Sequence, residues 1–371
     1  MLLFTPGPTP VPESVRVAMA EPTLHHRTPE FEAIFKEARE LLFELFGMDE
    51  VVMIASSGTG AMEAAVNNLC HNTLLNINAG KFGERFGKIA KACGLDNVEI
   101  KHEWDTPASV DEVLVALKAN SDIDAVAIQV SESAGGLRHP VEEIAKAIKE
   151  YNSDIMVIAD GITAVGVEKI DTTHIDALIA GSQKALMLPP GLAILGLSNS
   201  AIEKIGDGKG YYLNLASEIK KQRQNTTAYT AATTLVIGVV AILKEIKNSG
   251  GLEVLYQDTT QRAKATRGAL EALGLHSYPK SPAKSMTTID DESASEIRNL
   301  LKSQYGVNVA GGQDHLKGKI FRINQMGLIK PYEMAWVVNA VELALDKLGK
   351  RAYDATATRV FNEIYFNLKE A

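Results

Sequence analysis

Cysteine is scarce: Cys70 and Cys93 are the only two in 371 residues. Two thiols cannot make a disulfide framework, and their spacing matches no metal motif. A reducing, cytoplasmic setting is the plain expectation. Positive charge is not in surplus either. The net charge is −8 and the isoelectric point is near 5.6, whereas nucleic-acid or anionic-membrane binding calls for a basic face. Long apolar runs are missing as well. Leu235–Leu243 spans nine residues and includes Gly238, against roughly 20 for a membrane span. The opening MLLFTPGPTPVPE has neither the basic start nor the long apolar core of a signal peptide. Repeats, low-complexity tracts and charge blocks are absent too, so a soluble chain without a long linker is expected.

What is there is ordinary globular composition, 46% hydrophobic and 23% charged, in a chain longer than one average domain. From about residue 50 short apolar, β-rich runs alternate with helical patterns. The runs are Val51–Ala55, Leu74–Asn78, Ala125–Val130, Ile155–Ala159, Ala177–Ile179 and Leu192–Leu197. Such alternation predicts an α/β fold with a mainly parallel sheet and helices on both faces. Continuously apolar runs suit strands buried on both sides. Near residue 255 the pattern becomes mixed. Helices are expected at Arg262–Leu273, Ala294–Gln304 and Tyr332–Leu348, and strands at Ser285–Ile289, Val307–Ala310 and Lys319–Ile323. That reads as a smaller α+β domain.

The strands lead into the more telling segments: Ser56-Ser57-Gly58-Thr59-Gly60, AGKFGERF, SESAGG, Asp160-Gly161 and AGSQKAL. Open α/β sheets bind ligands beyond the carboxyl ends of their strands, so these five segments are expected to converge on one site. Ser57-Gly58-Thr59-Gly60 lies between a strand and a helix, where glycine permits close approach and a helix N-terminus favours an anion. Alone it reads better as a tight turn with an N-cap. Asp160 ends an apolar strand, where an Asp caps a helix, serves a metal or faces a protonated ring nitrogen. Lys184 sits between a buried-type strand and ALMLPPGLAIL, an unusual place for an idle ammonium. Burial there lowers a lysine's pKa and suits it to Schiff-base chemistry and proton transfer. His25 and His26 are adjacent and lack a partner at metal spacing, so no metal site is expected. HHRTPEF is expected to form a structured loop near the mouth of the site or at a dimer contact.

Taken in order, TPGPTPVP, HRTPEF, SSGTGAMEA, GKFGERF, SESAGG, ADG, GSQKALMLPPGLA and GKIFRINQMG resemble the class V aminotransferases of fold-type I. The likeness is to the alanine–glyoxylate and serine–glyoxylate (serine–pyruvate) branch, and it covers nearly the whole chain. It implies pyridoxal 5'-phosphate as cofactor, a seven-stranded-type sheet and a smaller C-terminal domain. The divisions it implies are an N-terminal segment 1–15 near the active site, a large cofactor domain 16–255 and a small domain 256–371.

The resemblance also assigns roles. Lys184 is the cofactor-bearing lysine and the base for the proton shift. Asp160 is the pyridinium partner, and Ile162 and Phe82 take the two faces of the ring. Gly58, Thr59 and Gln183 attend the phosphate, and Ser133 the ring hydroxyl. Thr230 reaches the phosphate of a neighbouring subunit, which implies a homodimer with shared sites. Arg322 grips the substrate carboxylate, since a guanidinium fork pairs bidentately with it and keeps its charge. Two departures from the family stand out. Relatives read T-P-x-T-P where this chain has Thr227-Ala228-Tyr229-Thr230-Ala231, and Gly-His where it has Asn324-Gln325. A small amino donor (alanine, serine or aspartate) and a small 2-keto acceptor (glyoxylate or pyruvate) are the implied substrates. The rivals are a lyase on the same fold and a non-catalytic binding paralogue. The spacing offers no nucleotide-binding glycine fingerprint, and no cysteine follows Cys93 to serve a desulfurase.

Overall fold

In a run such as Leu74-Leu75-Asn76-Ile77 successive side chains point to opposite faces, so apolar residues at both parities need a layer of helices on each side. The computed structural model, which describes residues 1–368, has that arrangement. In chain order its strands are β1 (Leu2–Phe4), β2 (Glu50–Ile54), β3 (Thr73–Asn78), β4 (Asp96–Lys101), β5 (Ile123–Gln129), β6 (Ser131–Glu132), β7 (Leu137–Arg138), β8 (Met156–Asp160), β9 (Ala177–Gly181), β10 (Ala193–Leu197), β11 (His276–Ser277), β12 (Met286–Asp290), β13 (Val307–Gly311) and β14 (Ile320–Asn324). Seven of them form one sheet in the order β2-β10-β9-β8-β5-β3-β4. Only β10 runs antiparallel to its neighbours. Val126 and Ile128 of β5 join the apolar layer under the helices Pro29–Phe46, Val141–Tyr151 and Thr233–Asn248. Ala125 and Ala127 join the layer under Gly58–Leu69. A mainly parallel sheet with helices on both faces is therefore present, as expected.

Six of the seven strands coincide with the apolar runs to within a residue or two. β4 is the one the pattern does not reveal: Asp96–Lys101 is a polar edge strand whose side chains are mostly exposed, so its pairing with β3 leaves little apolar signature. A second, five-stranded sheet has the order β1-β13-β14-β12-β11. It recruits the N-terminal Leu2–Phe4, paired parallel to β13, a contact too remote in sequence for any local pattern to announce. Phe4, Leu301, Phe321, Val337 and Phe361 fill its core.

The helix expected at Arg262–Leu273 instead runs Gly251–Glu271, because its polar first half is helical through tertiary contacts rather than by apolar periodicity. It therefore crosses the position near residue 255 where the pattern changes. HRTPEF supplies a helix start: Thr28 accepts a hydrogen bond from the Phe31 N–H at 3.4 Å, and Pro29 takes the first turn. Among the described residues no helix is long and apolar enough to cross a membrane.

Arg262 ties the long helix to the strand that will matter below. Its side chain has no exposed surface. It donates to the carbonyls of Gln325 and Gly327 at 2.9 Å and of Ile329 at 2.8 Å, and pairs with Asp258 at 2.7 Å. Three carbonyls after β14 therefore depend on one guanidinium. Arg262→Ala orphans them and is expected to lower stability by about 3 kcal/mol or more, read as a shifted urea midpoint. An unchanged midpoint would contradict this role.

Candidate active site

The carboxyl ends of β9, β8, β5 and β3 lie side by side, with that of β2 beyond the antiparallel β10, and the loops leaving them enclose a cleft of about 110 Å³. Ser57, Gly58, Thr59, Phe82, Ser133, Asp160, Ile162, Gln183 and Lys184 all line it. The five segments therefore converge as expected.

Gly58 opens the helix Gly58–Leu69, and Ser57 at its N-cap makes no side-chain capping bond. The leading N–H groups are thus left for an anion. A Cβ on Gly58 would stand 2.5 Å from Ile162 Cδ1, so only glycine lets that turn and Ile162 share one wall. Phe82 stands at the start of the helix Lys81–Ala92.

Asp160 closes β8 with 4% of its surface exposed, and the Ile162 N–H donates to its Oδ1 at 2.9 Å. Burial pushes its carboxyl up to about 6, while that N–H, Lys184 and Arg85 pull it back. Lys184 Nζ donates to the Pro6 carbonyl at 2.6 Å. Burial pushes its ammonium down to about 8. Asp160 opposes the shift, and Arg322 and Arg85 add to it. The N-terminal segment lies directly on this lysine. Thr9 Oγ1 donates to the Lys184 carbonyl at 2.6 Å, and a Cβ on Gly7 would meet Lys184 Cδ at 2.5 Å.

Arg322 comes from β14, in the second sheet, and reaches back to the first. It is 7% exposed. Its Nε and Nη2 donate to the Gly311 carbonyl at 3.1 and 2.6 Å, and Nη1 donates to the Ser133 carbonyl. Burial pushes its guanidinium down to about 10, with Glu132 opposing and Arg298 reinforcing the shift. Asn324 and Gln325, which replace the family's Gly-His, are fully buried. Asn324 closes a turn onto Met326, and Gln325 donates to Thr287 Oγ1 at 3.2 Å. They stiffen the end of the strand that carries Arg322.

Thr230 is not in the cleft. It is exposed and borders a separate small hollow with Tyr212, Thr227, Tyr229 and Ala231.

Two charged residues that sequence reasoning passed over do belong to the site. Arg85 lines the cleft, donates to Thr59 Oγ1 at 2.8 Å and lies 4.7 Å above the Phe82 ring. One helical turn of spacing from Phe82 was the available signal. Glu132 is fully buried behind the Phe82 loop. Its signal was an acidic residue trapped between an apolar strand and Ala134-Gly135-Gly136.

A family model described as aminotransferase class-V matches residues 1–329. The chain belongs to the class V aminotransferases. It is 53% identical over 369 residues to an uncharacterized aminotransferase of Helicobacter pylori, covering 99% of this chain and 100% of that protein. Over 364 residues it is 30% identical to the serine–glyoxylate aminotransferase of Methylorubrum extorquens, covering 92% and 90%. An aspartate aminotransferase of subgroup IV from Thermus thermophilus superposes with a TM-score of 0.87 at 33% identity, covering 94% of this chain and 99% of the other.

Membership implies pyridoxal 5'-phosphate, and the cleft of this aminotransferase suits it. An uncapped helix start faces the cleft beside a glycine whose Cβ would crowd Ile162, and a buried carboxylate and a half-buried lysine stand at the ends of adjacent strands. Gly58→Ala is expected to force Ile162 into the cleft, at an overpacking cost of roughly 1–3 kcal/mol. Titration of the apoenzyme should then show cofactor affinity reduced about tenfold or more. Wild-type affinity would mean that Ile162 swings aside freely.

Proposed function

We propose that this aminotransferase takes its amino group from a small amino acid (alanine, serine or aspartate) and delivers it to a small 2-keto acid, glyoxylate or pyruvate. The observation that carries the reading is Arg322. Among the described residues this buried guanidinium pairs with no carboxylate and rests only on two backbone carbonyls. A buried cation that forms no ion pair within its own chain is prepared for an anionic ligand, and an amino acid and a 2-keto acid both bring a carboxylate. The named activities of the serine–glyoxylate and aspartate relatives support the substrate class.

The remaining roles follow from chemistry. Pyridoxal 5'-phosphate, when bound, supplies an electron sink and the carbon that holds the amino group between donor and acceptor. The N–H groups at Gly58 and Thr59 hold its phosphate, with Gln183 beside them. Phe82 and Ile162 fix the plane of its ring. Ser133 lies toward the ring hydroxyl, and the Asp160 carboxylate keeps a proton on the ring nitrogen. The Lys184 amine takes the proton from the substrate Cα and returns one during product formation. A homodimer with shared sites fits the exposed position of Thr230, which follows Tyr229, a ring packed on Tyr211 with 82% of that tyrosine's surface exposed. Thr230 then serves the partner's phosphate.

Purified enzyme supplied with each donor and keto acid should form the matching product amino acid. Arg322→Ala should lose tenfold to a hundredfold of that activity, the worth of a charge-assisted contact of roughly 1.5–3 kcal/mol, while still binding cofactor. Unchanged kinetics in Arg322→Ala would remove this arginine from the substrate site.

A lysine lowered to about 8 is half neutral near that pH, while a solvated lysine stays protonated to about 10.4. Only the neutral amine attacks a carbonyl. The rate of cofactor uptake by the apoenzyme should therefore rise with pH and level off above about 8. A rate still climbing beyond pH 10 would show that Lys184 is not desolvated.

A further inference from the structure

Glu132 has no exposed surface and no ion-pair partner among the described residues, yet its carboxyl accepts three backbone N–H groups. Oε2 accepts the N–H groups of Phe82 at 3.0 Å and Gly83 at 2.9 Å, and Oε1 accepts that of Ala134 at 2.9 Å. The first two open the helix Lys81–Ala92, so this one carboxylate caps the helix that carries Phe82 and Arg85. Gly80 leaves the room it needs, since a Cβ there would stand 2.4 Å from Glu132 Cδ. The next residue, Ser133, offers its carbonyl to Arg322.

We infer that Glu132 is a positioning residue that fixes the Phe82 wall of the cleft to the segment whose next carbonyl, that of Ser133, anchors the Arg322 fork. The inference rests on the reading of Phe82 as a cofactor wall and Arg322 as the carboxylate fork. Its second effect is electrostatic. Burial pushes the Glu132 carboxyl up to about 7, so near neutral pH it opposes the desolvation of Arg322 with a partial charge.

The amide of Glu132→Gln turns its NH₂ either toward the Ala134 N–H or toward those of Phe82 and Gly83, so at least one of the three loses its acceptor. In the apoenzyme, hydrogen exchange within the set Phe82, Gly83 and Ala134 is expected to speed up roughly tenfold to a hundredfold, with exchange elsewhere unchanged. Gly80→Ala, which displaces the carboxylate without altering any charge, should do the same and covers the case in which Glu132→Gln fails to fold. In the loaded enzyme Glu132→Gln should lower kcat about tenfold or more as the Phe82 wall loosens, without raising the KM of the amino donor, because Arg322 keeps its own carbonyl anchors. Exchange at Phe82, Gly83 and Ala134 left as in the wild type in both variants would overturn the inference, as would a rise in the KM of the amino donor. Exchange is read on the apoenzyme, so wild-type protein that fails to transaminate would refute the functional reading separately.

Discussion

Burial of opposite charges at the ends of two adjacent strands is the constraint on which the rest depends. Asp160 closes β8 and Lys184 follows β9, and desolvation drives both toward neutrality, to about 6 and about 8. Isolated, either would be a heavy cost to the fold. Each is tolerable because the other is close and because backbone groups meet it, the Ile162 N–H for the carboxylate and the Pro6 carbonyl for the ammonium. The opening TPGPTP segment, which looks like a loose terminus, is held down by that lysine and by Thr9.

The second consequence is that the site belongs to neither sheet alone. The seven-stranded sheet delivers Gly58, Phe82, Ser133, Asp160 and Lys184 at its carboxyl edge, as open α/β sheets do. The five-stranded sheet delivers only Arg322, and it does so across the boundary, onto the Ser133 carbonyl. Fixing that one side chain employs Arg262 under the turn after β14, Asn324 within it and the Gly311 carbonyl beside it. Charged residues that look structural one by one thus serve a common end.

Much of this was legible in the residues themselves. Apolar runs of both parities, as in β5 and β9, announce doubly covered strands, and the small, polar and ionisable residues just beyond them mark the cleft. What stayed hidden had physical reasons. β4 has almost no buried face, and β1 is defined by a partner some 300 residues away. Arg85 and Glu132 are charged residues in helical or loop patterns, where charge ordinarily means solvent. Only coordinates reveal that Arg85 turns inward over Phe82 and that Glu132 accepts three backbone N–H groups. Thr230, assigned by family resemblance, lies outside the cleft of its own chain, and a local pattern carries no information about a second copy.

The central claim is that this cleft carries pyridoxal 5'-phosphate on Lys184. It is tested most directly by loading the protein with the cofactor, reducing it with borohydride and mapping the label by peptide mass spectrometry. The account requires a single label on the peptide containing Gly181-Ser182-Gln183-Lys184, absent when Lys184 is replaced by alanine. A label distributed over exposed lysines, or retained in that variant, would contradict it.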